Sequence, residues 1–264
     1  MKDVQSEQDH REIDLDRVGV RDLRYPVVVL DQQNREQATV ASLTLAVDLP
    51  RAFKGTHMSR FLEVLNEYRG EMTMRTMPAI LADLREKLEA KSSFIEMSFP
   101  YFIERAAPVT GAKGLLDYEG RFVGQSSEAG DDFILGVRVP VSSLCPCSKA
   151  ISDYGAHNQR GTVSIDVRSP VTTAMNEGFV WLEELIDIAE ASGSAPVFPL
   201  LKRPDERHVT MLAFDRPRFV EDMVREVAER LMADSRICWF DVQAVNYESI
   251  HNHNAFAQKE WSRD

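Results

Sequence analysis

Between residues 41 and 49 large apolar side chains alternate with small or polar ones. Ala41, Leu43, Leu45, Val47 and Leu49 take one side, Ser42, Thr44, Ala46 and Asp48 the other, and Pro50 ends the run. A period of two is the pattern of a strand with one face in a core. The period then changes: Phe61, Leu62, Leu65 and Tyr68 share one face of a helix beginning near Ser59. Ile80, Leu81, Leu84 and Leu88 keep a 3.6-residue spacing behind Pro78, placed early in its helix. Strand character returns at Phe94 to Ile103, and again at Phe122 to Val123 after a turn-rich stretch from Gly111 to Gly120. A short strand from Tyr25 to Leu30 precedes all of these.

The second half runs through the same order. Phe133 to Val139 and Gly161 to Val167 read as strands. Leu182, Leu185, Ile186 and Ala189 make one helix face, and Val220, Val224, Val227 and Leu231 another, with Asp215 as its expected N-cap. Trp239 to Tyr247 closes as a strand, with a further strand expected in each half. The duplication is one of pattern, without residue-level repetition. Strands joined by short turns and followed by helix pairs imply an α+β fold of antiparallel sheet with paired helices on one face. The expected organisation is a mobile N-terminal arm over 1–24, a first module over 25–130 and a second over 131–264.

The chain of 264 residues is 44% hydrophobic, enough for cores in both halves, and carries a net charge of −11. That charge disfavours nucleic acid or an anionic membrane as partner, so an anionic substrate needs locally gathered cations. With no membrane-length apolar run and no signal-peptide pattern at the start, a cytoplasmic location is expected. There is no GxGxxG after a strand and no Walker loop, so a nucleotide is not held in the Rossmann or P-loop manner.

Chemistry concentrates between Ser143 and Gly161, where Cys145, Cys147, Lys149, His157 and Arg160 share what reads as a loop between strands. Thiolate and imidazole suit a borderline-soft ion such as zinc. The spacing is not that of a zinc finger, and an open site fits better than a closed structural one. On spacing alone, two buried small thiols and a solvated loop histidine remain the competing reading.

The string Leu144-Cys145-Pro146-Cys147-Ser148-Lys149, continuing at Gly155-Ala156-His157-Asn158-Gln159-Arg160, closely resembles the type IB family of GTP cyclohydrolase I. So do His57 to Phe61, Leu200 to Glu206, Pro217 to Asp222 and Glu248 to His253, in order over about residues 25–256. The resemblance implies the tunnelling fold in two tandem modules, a homotetramer with active sites between subunits, and hydrolysis of GTP to 7,8-dihydroneopterin triphosphate and formate for folate and related pterins. It implies one divalent ion per site (zinc, manganese or iron) on Cys145, His157 and Glu206, with a coordination position left open for water, and no organic cofactor.

By the same resemblance Cys147 is the catalytic thiol, placed to pass a proton to the purine as its imidazole ring opens. His251 and His253 match a pair near the substrate, one serving as general acid or base. Glu221 matches the glutamate that accepts from guanine N1–H and the 2-amino group. Lys149, Arg160, Lys202 and Arg203, with His57, Ser59 and Arg60 from another subunit, are candidates for the triphosphate. Two rivals are a tunnelling-fold nitrile reductase acting on a deazaguanine with NADPH, which needs no metal, and a non-catalytic pterin- or purine-binding module.

Overall fold

A computed structural model describes residues 5, 7–69, 72–169 and 180–263. In chain order the elements are β1 (Leu15–Asp31), β2 (Arg35–Leu49), α1 (Met58–Glu67), α2 (Met77–Leu88), β3 (Ser93–Ala106), β4 (Lys113–Ser127), β5 (Gly130–Leu144), α3 (Pro146–Ile151), β6 (Asn158–Arg168), α4 (Leu182–Ser192), β7 (Ala195–Pro196), α5 (Arg203–Asp215), α6 (Val220–Ala233), β8 (Trp239–Asn246) and β9 (Ala255–Ser262). Strands pair in the order β1-β2-β3-β4-β5-β6-β8-β9, with β7 added to β5. The registers of β1 with β2, β2 with β3, β6 with β8 and β8 with β9 are all antiparallel. No helix among the described residues is long and apolar enough to cross a membrane.

Two compact units emerge, each assembled from separated stretches of chain. The described residues of the first lie up to Pro100 and from Arg121 to Leu135; the second takes Tyr101–Gly120 and most of the chain after Gly136. In the first, β2 places Leu43, Leu45 and Val47 on its buried face, as alternation requires, and Leu45 pairs with Ile95 on β3. Helix α2 turns Ile80, Leu81, Leu84 and Leu88 inward and stops at Glu89, whose left-handed backbone (φ 53°) turns the next N–H, that of Ala90, onto the Arg85 carbonyl at 2.9 Å. Phe99 and Phe122 meet edge to face at 5.1 Å.

In the second unit, Val163, Ile165 and Val167 of β6 pair with Ala244, Val242 and Phe240 of β8, all buried. Leu185, Ile186 and Ala189 of α4 and Met223, Val227 and Leu231 of α6 lie in that core too. Each large side chain so buried stabilises by roughly 1.5–3 kcal/mol before entropy is counted.

The structure corrects several details. The first strand begins at Leu15, so the later part of the stretch expected to be a mobile arm runs along β2. Its residues there are mostly exposed, which is why they lack an apolar signature. Positions 113–120, read as turn, are strand β4, hidden by Gly114, Gly120 and charged residues on its open side. Leu62 of α1 is exposed, and Val64 is buried in its place. Asp215 caps nothing on α6, because it is the last residue of α5; Phe219 takes the N-cap position, its N–H donating to Asp222 Oδ2 at 3.0 Å.

Candidate functional site

Strand β5 delivers Cys145 to the first position beyond its end, where the residue also caps α3. Pro146 suits the first helical turn, since its missing N–H needs no partner there. Cys145 Sγ accepts from the Ser148 backbone N–H at 3.4 Å. The segment then folds back: Cys145 N–H donates to the His157 carbonyl at 3.1 Å, and His157 N–H donates to Ser148 Oγ at 3.2 Å. Gly155 makes this return possible with φ 145°, a backbone state that side chains disfavour. Twelve positions apart in sequence, Cys145 and His157 thus become neighbours, both half-buried. Cys147, on α3, is exposed to solvent.

Behind this junction lies a polar layer that the cysteine and histidine motif does not by itself announce. His157 Nδ1 is 2.9 Å from Oε1 of the buried Gln159. Gln159 Nε2 donates to Ser143 Oγ and to Glu248 Oε1, both at 3.4 Å, and Asn246 Nδ2 donates to Ser143 Oγ at 3.1 Å. The signal was there: Gln159 follows His157 by two in extended chain, so their side chains leave on the same side.

Six more of the expected site residues lie in three other places. Lys202 caps α5, Arg203 begins it and Glu206 stands exposed in its first turn. Between them the buried Asp205 accepts from Lys202 N–H at 2.9 Å, Val109 N–H at 2.8 Å, Thr110 N–H at 2.9 Å and Thr110 Oγ1 at 2.7 Å. Burial opposes its charge, yet the Thr110 hydroxyl and these backbone donors prevail and hold the carboxyl well below the usual carboxylate range. Glu221 stands exposed in the first turn of α6, on a groove floored by Val224, Ala228 and Met232 of α6 and bounded by Ala257 and Lys259 of β9. His251 and His253 are exposed past β8, their rings stacked at 5.0 Å.

Several candidate cations already have partners. Lys149 Nζ donates to the Phe214 carbonyl and lies 4.2 Å from the centre of the Phe214 ring. Arg60 Nη1 donates to the Lys87 carbonyl at 2.9 Å and reaches Glu89 at 3.8 Å, within the first unit, where His57 caps α1 and Ser59 follows in it. Arg160 is exposed, and its carbonyl accepts from Tyr247 N–H at 2.9 Å. Among the described residues no three His, Cys, Asp or Glu side chains gather into a group that could hold a metal. Cys145 and His157 are brought together; Glu206 is not brought to them within one chain.

The family model described as Type I GTP cyclohydrolase folE2 matches residues 1–257. This chain belongs to that family. It is 52% identical over 264 residues to the GTP cyclohydrolase FolE2 of Syntrophobacter fumaroxidans, covering 100% of both chains. It is also 51% identical over 257 residues to that of Geobacter sulfurreducens, covering 97% of this chain and 96% of that one. Among solved structures, urate oxidase from Bacillus subtilis 168 superposes with a TM-score of 0.57 at 10% identity, covering 94% of this chain and 98% of the other. Uricase from Arthrobacter globiformis does so at 0.53 and 10%, covering 94% of each. At such identities the likeness concerns the fold alone, the tunnelling fold that this family member shares with uricases.

Proposed function

We propose that this GTP cyclohydrolase family member converts GTP and water to 7,8-dihydroneopterin triphosphate and formate at a site centred on Cys145, Cys147 and His157. The observation that carries the site is the Cys145–His157 junction, a backbone hydrogen bond that brings a thiol-bearing and an imidazole-bearing residue together, with a second cysteine two residues away. Cys145, His157 and Glu206 would hold a divalent ion, zinc, manganese or iron, which when bound supplies Lewis-acid polarisation at neutral pH. The donor chemistry fits: Cys145 and His157 stand side by side, and Glu206 is an exposed carboxylate able to reach a neighbouring molecule. The full ligand set therefore belongs to an assembly of chains, a homotetramer in this reading.

The other residues have separate tasks. Cys147 gives a proton to the ring nitrogen as the imidazole of GTP opens, and its exposure leaves it accessible to substrate. His251 and His253 exchange protons with the opened ring and ribose. Glu221 accepts from guanine N1–H and the 2-amino group, for which a carboxylate has two suitable oxygens. Arg160, Lys202 and Arg203 meet the triphosphate; Lys149, His57, Ser59 and Arg60 complete the candidate set, although Lys149 and Arg60 would first have to leave their carbonyl partners. Each half opens on a pair of long strands, continues into helices and closes on another pair of strands, the second half adding α3, β7 and a third long helix, and this likeness of order supports reading 25–130 and 131–264 as tandem modules.

Formate release from GTP and bound metal, measured together on purified variants, test the assignment. Cys145→Ala and His157→Ala are expected to lose metal and turnover together. Cys147→Ala is expected to keep metal while turnover falls by at least 100-fold, the scale of a general-acid contribution. Metal loss from the Cys147 variant as complete as from the Cys145 variant would reverse their roles. Metal-independent turnover with NADPH and a nitrile substrate would favour the reductase alternative.

A further inference from the structure

The polar layer behind His157 fixes a proton by elimination. Ser143 is fully buried, and its hydroxyl has one proton to give and two lone pairs. The Arg218 carbonyl, 3.3 Å from Ser143 Oγ, can only accept and so takes that proton. Ser143 must then accept from both amides that reach it, Gln159 Nε2 and Asn246 Nδ2. Glu248, on the same side of Gln159, is a carboxylate and also needs a donor. Both neighbours therefore demand the NH2 end of Gln159, which turns its carbonyl oxygen toward His157 Nδ1 at 2.9 Å. A neutral imidazole has a single N–H, and an oxygen with no proton at this distance requires it on Nδ1.

We propose that Gln159 is a positioning residue that locks His157 as the Nδ1–H tautomer, so that Nε2 presents its lone pair to the metal ion. The inference rests on the reading of His157 as a ligand. An amide carbonyl here takes the place of the carboxylate or backbone carbonyl that usually orients a metal-binding imidazole. Without an acceptor at Nδ1, an imidazole favours the proton on Nε2, which would block that nitrogen and add the cost of moving the proton to every binding event.

Long-range 15N NMR of the metal-free full chain, labelled at histidine and assigned with a His157→Asn variant, reads the tautomer directly. Wild type is expected to show His157 with its proton on Nδ1. Gln159→Leu is expected to shift the population toward Nε2–H and to weaken zinc binding by about 10- to 100-fold. Gln159→Glu, which keeps an acceptor facing Nδ1, is expected to restore the Nδ1–H form and most of the zinc affinity. An Nε2–H imidazole in the wild-type protein would overturn the lock whether or not the variants fold, as would an unchanged tautomer in a folded Gln159→Leu protein. A tautomer that moves while zinc affinity stays constant would overturn the ligand role of His157 and leave the lock standing.

Discussion

At the scale of single residues, Asp205 is the charge on which α5 depends. It is fully buried, and four donors converge on its two oxygens, three from backbone and one from a hydroxyl. Two of those backbone donors belong to the 107–112 turn and one to the helix N-cap, so one carboxylate both starts α5 and fastens the turn to it. Its folded pKa lies below the usual value, so the ionised form contributes stability that is present above about pH 4 and is lost as pH falls toward the depressed folded value. Asp205→Asn removes the charge and turns an amide NH2 toward N–H donors. The melting temperature is expected to fall by on the order of several °C at pH 7, with the gap to wild type narrowing steadily below about pH 4. Calorimetry at a series of pH values checks this, and a gap that is constant from pH 7 to pH 2.5 would show that charge is not what Asp205 contributes. The sequence marked Glu206 and passed over Asp205 beside it, because a carboxylate three residues into a helix reads as a solvated first-turn acid until the facing turn is known.

At the scale of elements, what the sequence made legible tracks how much of each element is buried. Strand β2 and helix α2 followed from alternation and 3.6-residue spacing, since both press an apolar face into the core. The six-residue α3 buries none of its residues and is held by the Cys145 cap and its return bonds, so it read as loop. Likewise β1 extends outward through exposed positions, and β9 is mostly open to solvent. Helix α6 was legible through Val220, Val224, Val227 and Leu231, and those side chains, all buried, give Glu221 a fixed backbone at the edge of the groove. If Glu221 anchors guanine there, Glu221→Gln replaces one acceptor with a donor facing a donor. GTP binding should weaken by on the order of 2–4 kcal/mol, about 30- to 800-fold, while metal content stays the same. ATP, with the opposite hydrogen-bond pattern at that edge, should be a poor substrate for the wild type. Titration calorimetry of both proteins with GTP decides it, and equal affinities would remove Glu221 as the anchor.

At the scale of the whole molecule, the motifs revealed the ligand types and left open which chain supplies each one. Among the described residues pairing ends at β1 on one side and β9 on the other, and a strand edge of that kind is a natural place for another copy to add. The ligand set has the same incompleteness: Cys145 and His157 meet within one chain, and no third carboxylate or thiol joins them among the described residues. If Glu206 comes from a neighbouring subunit, Cys145→Ala and Glu206→Ala damage opposite halves of the site. Each variant alone should be inactive and metal-poor. Unfolded together at equal amounts and refolded, they should form mixed tetramers in which each site draws its Cys145 half and its Glu206 half from different chains. Random mixing then leaves about one site in four with both halves intact, and about a quarter of wild-type metal content and formate production should return. Light scattering would verify that the refolded species is the proposed tetramer. Mixed tetramers with no recovered activity would place Glu206 in the same chain as Cys145 or outside the ligand set. In the first of those cases binding of the ion would itself have to draw α5 toward the Cys145–His157 junction.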